Sequence, residues 1–284
     1  MRSIKPRVET GEITISLPNS LSQILKSISE PGIIANIWGR SGSGKTILAL
    51  NLALDRILAG KKVLYFTDQL EGIGYKIQEI LKRDDLQGGF KEKLDSFLKI
   101  VNLKNFKNQI EIIHELFTIF PSREEITKSK EFKQFMEIEA LDLDVKVINS
   151  LKEFEMPSMI IFDEFARQYR ELSLTSDASV LSKLIGVQLG FLKKLAKNQS
   201  IPVILLNGTH TIKVKPIEDD DSISYQEAPL VHYALEYWED VNVRLSHTMN
   251  AGERILTFSD HRKGDVQIVE KMQLKGLFER LLTI

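Results

Sequence analysis

Gly39-Arg40-Ser41-Gly42-Ser43-Gly44-Lys45-Thr46 fits the pattern G-x-x-x-x-G-K-S/T at every fixed position, the signature of a phosphate-cradling loop. Its flanks supply the context. Ahead of it, Gly32 to Trp38 is a short apolar run that reads as a buried strand. Behind it, Ile47 to Leu54 is rich in good helix formers. Strand, glycine loop and helix is the order that phosphate binding requires. The glycines let the backbone curl so that successive N–H groups face a phosphate chain. The helix start adds orphan donors and the positive end of its dipole. Lys45 supplies a mobile cation for the outer phosphates, and the Thr46 hydroxyl can ligate Mg²⁺.

Composition narrows the class. The chain has 284 residues, 43% hydrophobic and 27% charged, with a formal net charge of −1. That supports one sizeable core with room for a small insertion. It excludes the global basic field of a dedicated nucleic-acid coat, so any polyanion contact must be local. Cysteine is absent, which removes disulfides, thiolate metal sites and cysteine nucleophiles. His114, His210, His232, His247 and His261 lack the close spacing of a metal site. Met1 to Arg7 has no signal-peptide apolar run, and no apolar stretch reaches membrane-spanning length. The expectation is a soluble, cytoplasmic protein with no membrane partner.

Along the chain, Ser20 to Ile28 places Leu21, Ile24, Leu25 and Ile28 on one helical face. The loop helix closes near Ala59-Gly60, and Lys62 to Thr67 reads as the next strand. Residues 97–102 read as a third strand, and Gln109 to Phe117 has helical periodicity. Residues 118–140 fit poorly into strand–helix alternation and read as a helical insertion, with Pro121-Ser122 as a start signal. Val180 to Ala196 reads as a helix and Pro202 to Asn207 as a buried strand. Residues 241–245, 254–258 and 266–269 alternate or run short, and read as antiparallel strands extending a parallel sheet.

Met159-Ile160-Ile161-Phe162-Asp163-Glu164 is an apolar run ending in paired acids. Asp163 can orient Mg²⁺ or a water on it, across from Thr46. Glu164 can polarise an attacking water as general base. Asn207, ending its strand, can sense a terminal phosphate, position water, or simply cap the strand. Arg244, Arg262 and Lys263 are candidate cations for a neighbouring subunit's phosphate or for nucleic acid, although solvated surface is the ordinary place for such residues.

The order of these parts resembles the RecA/RadA recombinase ATPase core, in the branch that includes KaiC-like proteins. The likeness runs from about Leu17 to the C-terminus. Lys62 to Gln69 resembles the family strand that ends in Asp-Thr-Glu, and Lys76 falls where an arginine often stacks on adenine. Asp163 matches the metal-site aspartate, and Ile201 to Gly208 resembles the strand ending in Asn-Gln. Arg254 to Asp260 resembles the late strand whose aspartate joins the lid over a neighbour's nucleotide. Gly276-Leu277 resembles the terminal turn. The resemblance implies ATP as nucleotide, Mg²⁺, a RecA-like α/β domain over residues 1–284, and a central, mostly parallel sheet with helices on both faces. It also implies single-stranded DNA and recombinase or paralogue subunits as partners in a homo- or hetero-oligomer.

The departures are informative. The family's catalytic glutamate falls at Gln69, which cannot take a proton from water at neutral pH. Asp68, Glu71 or Glu164 could replace it. The phosphate-sensing glutamine falls at Gly208. No helix-hairpin-helix domain is expected ahead of Gly39. The region where the family binds DNA contains Glu218-Asp219-Asp220-Asp221, although Lys213 and Lys215 precede it. These changes imply an accessory recombinase paralogue with weak ATPase activity, in recombination or repair. The alternative is a KaiC-like regulatory ATPase or kinase with no DNA role.

Overall fold

Apolar runs without alternation form the middle of one sheet. Ile34–Gly39 (β1), Val63–Thr67 (β2), Met159–Phe162 (β4) and Val203–Asn207 (β5) are buried at every position, as strands covered on both faces must be. Leu98–Asn102 (β3) lies at one edge and is less buried. The computed structural model describes residues 17–81, 89–120, 145–172, 177–214, 224–264 and 266–273.

The remaining sheet strands are Val241–His247 (β8), Glu253–Asp260 (β9) and Val266–Gln273 (β10), and the order is β10-β9-β8-β1-β5-β4-β2-β3. From β8 to β3 every pairing is parallel; β9 and β10 run antiparallel. The reading of residues 241–245 as an antiparallel strand is therefore corrected. β8 pairs parallel with β1, Ala35 opposite Val241, and only its other edge is antiparallel, to β9. Alternation in β8 and β9 reports that one face is less covered, which says nothing about direction.

Helices cover both faces. On one side pack Leu17–Ile28 (α1), Lys45–Leu58 (α2), Leu70–Leu81 (α3) and Phe90–Phe97 (α4), through Ile24, Ile28, Leu48, Leu52, Ile73 and Leu94. On the other pack Phe106–Ile119 (α5), Val145–Lys152 (α6), Arg167–Leu172 (α7), Ala178–Gln199 (α8) and His232–Trp238 (α9). Strand neighbours divide between the two cores by pleat: Ala35 and Ile37 face the first, Ile34 the second.

A two-stranded hairpin, Thr209–Val214 (β6) with Ser224–Pro229 (β7), leaves the end of β5. Of the segment 118–140, positions 118 and 119 close α5 and Phe120 caps it; the rest lies outside the described residues. So do Lys215, the acidic run 218–221 and Gly276-Leu277. No helix among the described residues is long and apolar enough to cross a membrane.

Candidate nucleotide site

Because β5 lies between β1 and β4, the carboxyl ends of three adjacent strands carry Gly39, Asn207 and Asp163. This is the crevice where open α/β sheets place ligands. The loop leaves β1 and enters α2 through Gly44, at φ 101°, a left-handed conformation that favours glycine. Gly39 is required for a different reason. A Cβ there would stand 2.3 Å from the Leu245 carbonyl oxygen of β8.

Lys45 is buried and folds back over the loop. Its Nζ donates to Gly39 O at 2.9 Å and Arg40 O at 3.3 Å, and lies 3.8 Å from Glu164 Oε1. Burial lowers its pKa, against the opposing pull of Glu164 and Asp163. Thr46 Oγ1 donates to Asp163 Oδ2 at 3.2 Å, and the Tyr65 hydroxyl donates to the same oxygen at 2.8 Å. Tyr65 is held protonated by its own burial and by that carboxylate, which push its pKa well up. Burial also raises the pKa of Asp163, although both hydroxyls, Lys76 and Lys45 favour its charged form.

These residues fit a hard divalent cation. Asp163 Oδ1 is buried without a hydrogen-bond partner, beside the Thr46 hydroxyl that shares its other oxygen. A carboxylate and a hydroxyl are the oxygen donors that Mg²⁺ takes alongside phosphate oxygens. Tyr65 escaped sequence analysis because a buried strand tyrosine reads as core.

Glu164 follows Asp163 with φ 59°. A non-glycine residue in that region stores strain and marks candidate functional positions. The Asp163–Ala166 turn is pinned from beneath. Asn207 Oδ1 accepts from Ala166 N at 3.0 Å, and its Nδ2 donates to Asn36 Oδ1 at 2.7 Å. The Asn207 amide is thus committed at both ends inside the protein. Glu164 Oε2 lies 3.7 Å from where a Cβ on Gly208 would stand. The carboxylate occupies space that a side chain at 208 would enter.

No family model matches the chain. It is 26% identical over 245 residues to the DNA repair and recombination protein RadB of Methanobrevibacter smithii, covering 86% of each chain. It is 26% identical over 263 residues to RadB of Methanocaldococcus jannaschii, covering 90% of this chain and 98% of that one. A crystal structure of the RadB recombinase superposes with a TM-score of 0.58 at 21% identity, covering 90% of this chain and 93% of that one. Over nearly its whole length the chain resembles RecA/RadA-like recombinase paralogues. The likeness supports the recombinase branch and gives none to the KaiC-like alternative.

Against that recombinase frame, the other residues fall into two groups. Near the site, Gln69 is exposed at the start of α3, with its N–H on Thr67 Oγ1. Asp68 pairs with Arg167 at 2.9 Å. Lys76, half-buried on α3, directs its charge at Lys45 and Asp163. Arg40 on the loop and Arg244 on β8 both pair with Glu227 of the hairpin, and Arg244 also lies over the Trp38 ring.

Away from it lies Asp260. It pairs with Val241, which pairs with Ala35 at the start of β1, so it sits at the opposite end of the sheet from this chain's own cradle. There it accepts from Arg262 Nε at 2.8 Å and Nη2 at 2.6 Å. Arg262 and Lys263 also reach Glu30. A role for Asp260 at a nucleotide would have to be at a neighbour's.

Proposed function

We propose that this recombinase paralogue binds ATP with Mg²⁺, hydrolyses it slowly, and acts as a cytoplasmic accessory factor in DNA recombination or repair. The observation that carries the chemistry is the convergence of Thr46, Asp163 and Glu164 on the mouth of the loop. Lys45 swings from the loop carbonyls to the outer phosphates. Asp163 and Thr46 would hold Mg²⁺, which would supply positive charge beside the transferred phosphoryl group. Glu164 accepts a proton from water attacking the γ-phosphate in line, and its raised pKa suits a base working near neutrality. Lys76 adds positive charge from α3.

Support for the DNA role comes from the chain-length likeness to proteins named for DNA repair and recombination. The hairpin adds chemistry suited to a single strand: exposed Lys213 pairs across β6–β7 with exposed Tyr225, a cation beside a stacking surface. Other recombinase-like subunits are the protein partners of this reading.

Phosphate release measured with and without single-stranded DNA tests it. Turnover should be measurable, and DNA binding should weaken as salt rises. No turnover, together with no binding of labelled DNA at low salt, overturns the proposal.

Gln69 and Gly208 favour a second reading, in which ATP mainly sets conformation or assembly. Tight ATP binding with very slow turnover is then expected, and Gln69→Glu should raise the rate. An already fast rate that Gln69→Glu leaves unchanged rules this out.

A further inference from the structure

The phosphate loop is gripped from behind by the β8–β9 ribbon. Arg254 on β9 is buried, with 9% of its surface exposed. Its Nε donates to Ser43 O at 3.2 Å and its Nη2 to Gly42 O at 3.0 Å. Its remaining arm, Nη1, donates to Glu253 O at 2.7 Å. One residue further out on the loop, His247 Nε2 stands 3.3 Å from Ser41 O. Arg254 and His247 are cross-strand partners. One rung of the ribbon therefore meets three successive loop carbonyls.

We propose that Arg254 is a positioning residue for the nucleotide, setting the direction of the loop amides. The inference rests on the nucleotide-binding reading above. A trans peptide is planar, so its C=O and N–H point in opposite directions. Holding Gly42 O and Ser43 O toward β9 turns the following amides, Ser43 N–H and Gly44 N–H, toward the concave side. The Ser43 N–H meets Arg40 O at 3.1 Å within the loop, a contact that an incoming phosphate can replace. Free carbonyls would otherwise be able to rotate inward, and each carbonyl so turned would present negative charge to a triphosphate. The guanidinium suits this work because its planar fork satisfies two acceptors at once. It also adds buried positive charge directly behind the cradle.

The loop grips the β-phosphate in ground and transition states alike. Loss of Arg254 should therefore raise KM for Mg-ATP more than it lowers kcat. Two charge-assisted hydrogen bonds to the loop imply an affinity loss of about ten- to a hundredfold.

The test is calorimetric binding of Mg-ATP, with KM and kcat, for full-length wild type, Arg254→Gln, Arg254→Lys and Leu256→Ala. Leu256 lies on the same strand, is fully buried in the core and is not part of the phosphate loop. Leu256→Ala should destabilise the fold while leaving affinity within threefold. Arg254→Gln should lose ten- to a hundredfold in affinity with kcat within about threefold, and Arg254→Lys should recover part of the loss. Wild type that binds no Mg-ATP sinks the nucleotide reading and this inference with it. Wild type that binds, with Arg254→Gln binding equally well, sinks this inference alone. Failure of both Arg254 variants to fold, with Leu256→Ala folded, assigns a purely structural role and overturns it too.

Discussion

Lys45→Ala is expected to lower ATP turnover by about a hundred- to a thousandfold, the usual cost of removing one preorganised charge partner of a transition state. The geometry explains why no neighbour compensates. Lys45 Nζ is the cation that spans both sides of the cradle, 2.9 Å from Gly39 O and 3.8 Å from Glu164. Lys76 reaches the site only from α3 and already faces Asp163. With Lys45 gone, buried Asp163 and half-buried Glu164 remain as two acids at the place where a tetra-anionic nucleotide must settle. Their repulsion weakens binding as well as catalysis, so KM should rise along with the fall in kcat. Phosphate release at saturating Mg-ATP reads the first effect and calorimetry the second. A rate within threefold of wild type would show that the chemistry is not done here.

Much of this site could be read from local sequence because its parts are local. The loop, its strand and its helix are contiguous, so one stretch of chain specifies the cradle. Asp163 and Glu164 announce themselves by ending an apolar run. What escaped depends on pairings across long separations. Arg254 meets Gly42 across 212 positions and Ser43 across 211, and on an alternating strand it looks like any surface arginine. The direction of β8 was hidden for a related reason: alternation records burial on one face, while direction is set by which strand lies alongside. Asn207 was placed at the correct strand end. Its amide then turned out to be committed to Ala166 and Asn36, a satisfaction of buried polar groups that no single-strand pattern reveals. The β6–β7 hairpin was hidden because Thr209–Val214 alternates weakly and the sequence between its strands carries a run of acids.

The largest effect after Lys45 is expected at Glu164, where activity and stability should move in opposite directions. Glu164→Gln keeps size and polarity but cannot accept a proton, so turnover should fall by about a hundredfold or more if this residue is the base. Its carboxyl has a pKa above the usual 4.5: burial raises it, Lys45 pulls it back, Asp163 and Asp68 raise it further, and Arg167 lowers it. Below the raised value the base is protonated, so wild-type turnover should decline as pH falls through it. The stability sign follows from the same shift. Between 4.5 and the raised value the native state binds more protons at this group than the unfolded chain does, so stability falls as pH rises through that window. Above the window the full penalty is present, and glutamine removes it. Glu164→Gln should therefore melt higher than wild type at neutral pH, with the gap closing as pH falls through that window toward 4.5. Thermal melts across pH, paired with phosphate-release assays, read both sides. A variant that turns over normally, or that melts lower than wild type at neutral pH, would remove Glu164 from the role of a strained, buried base.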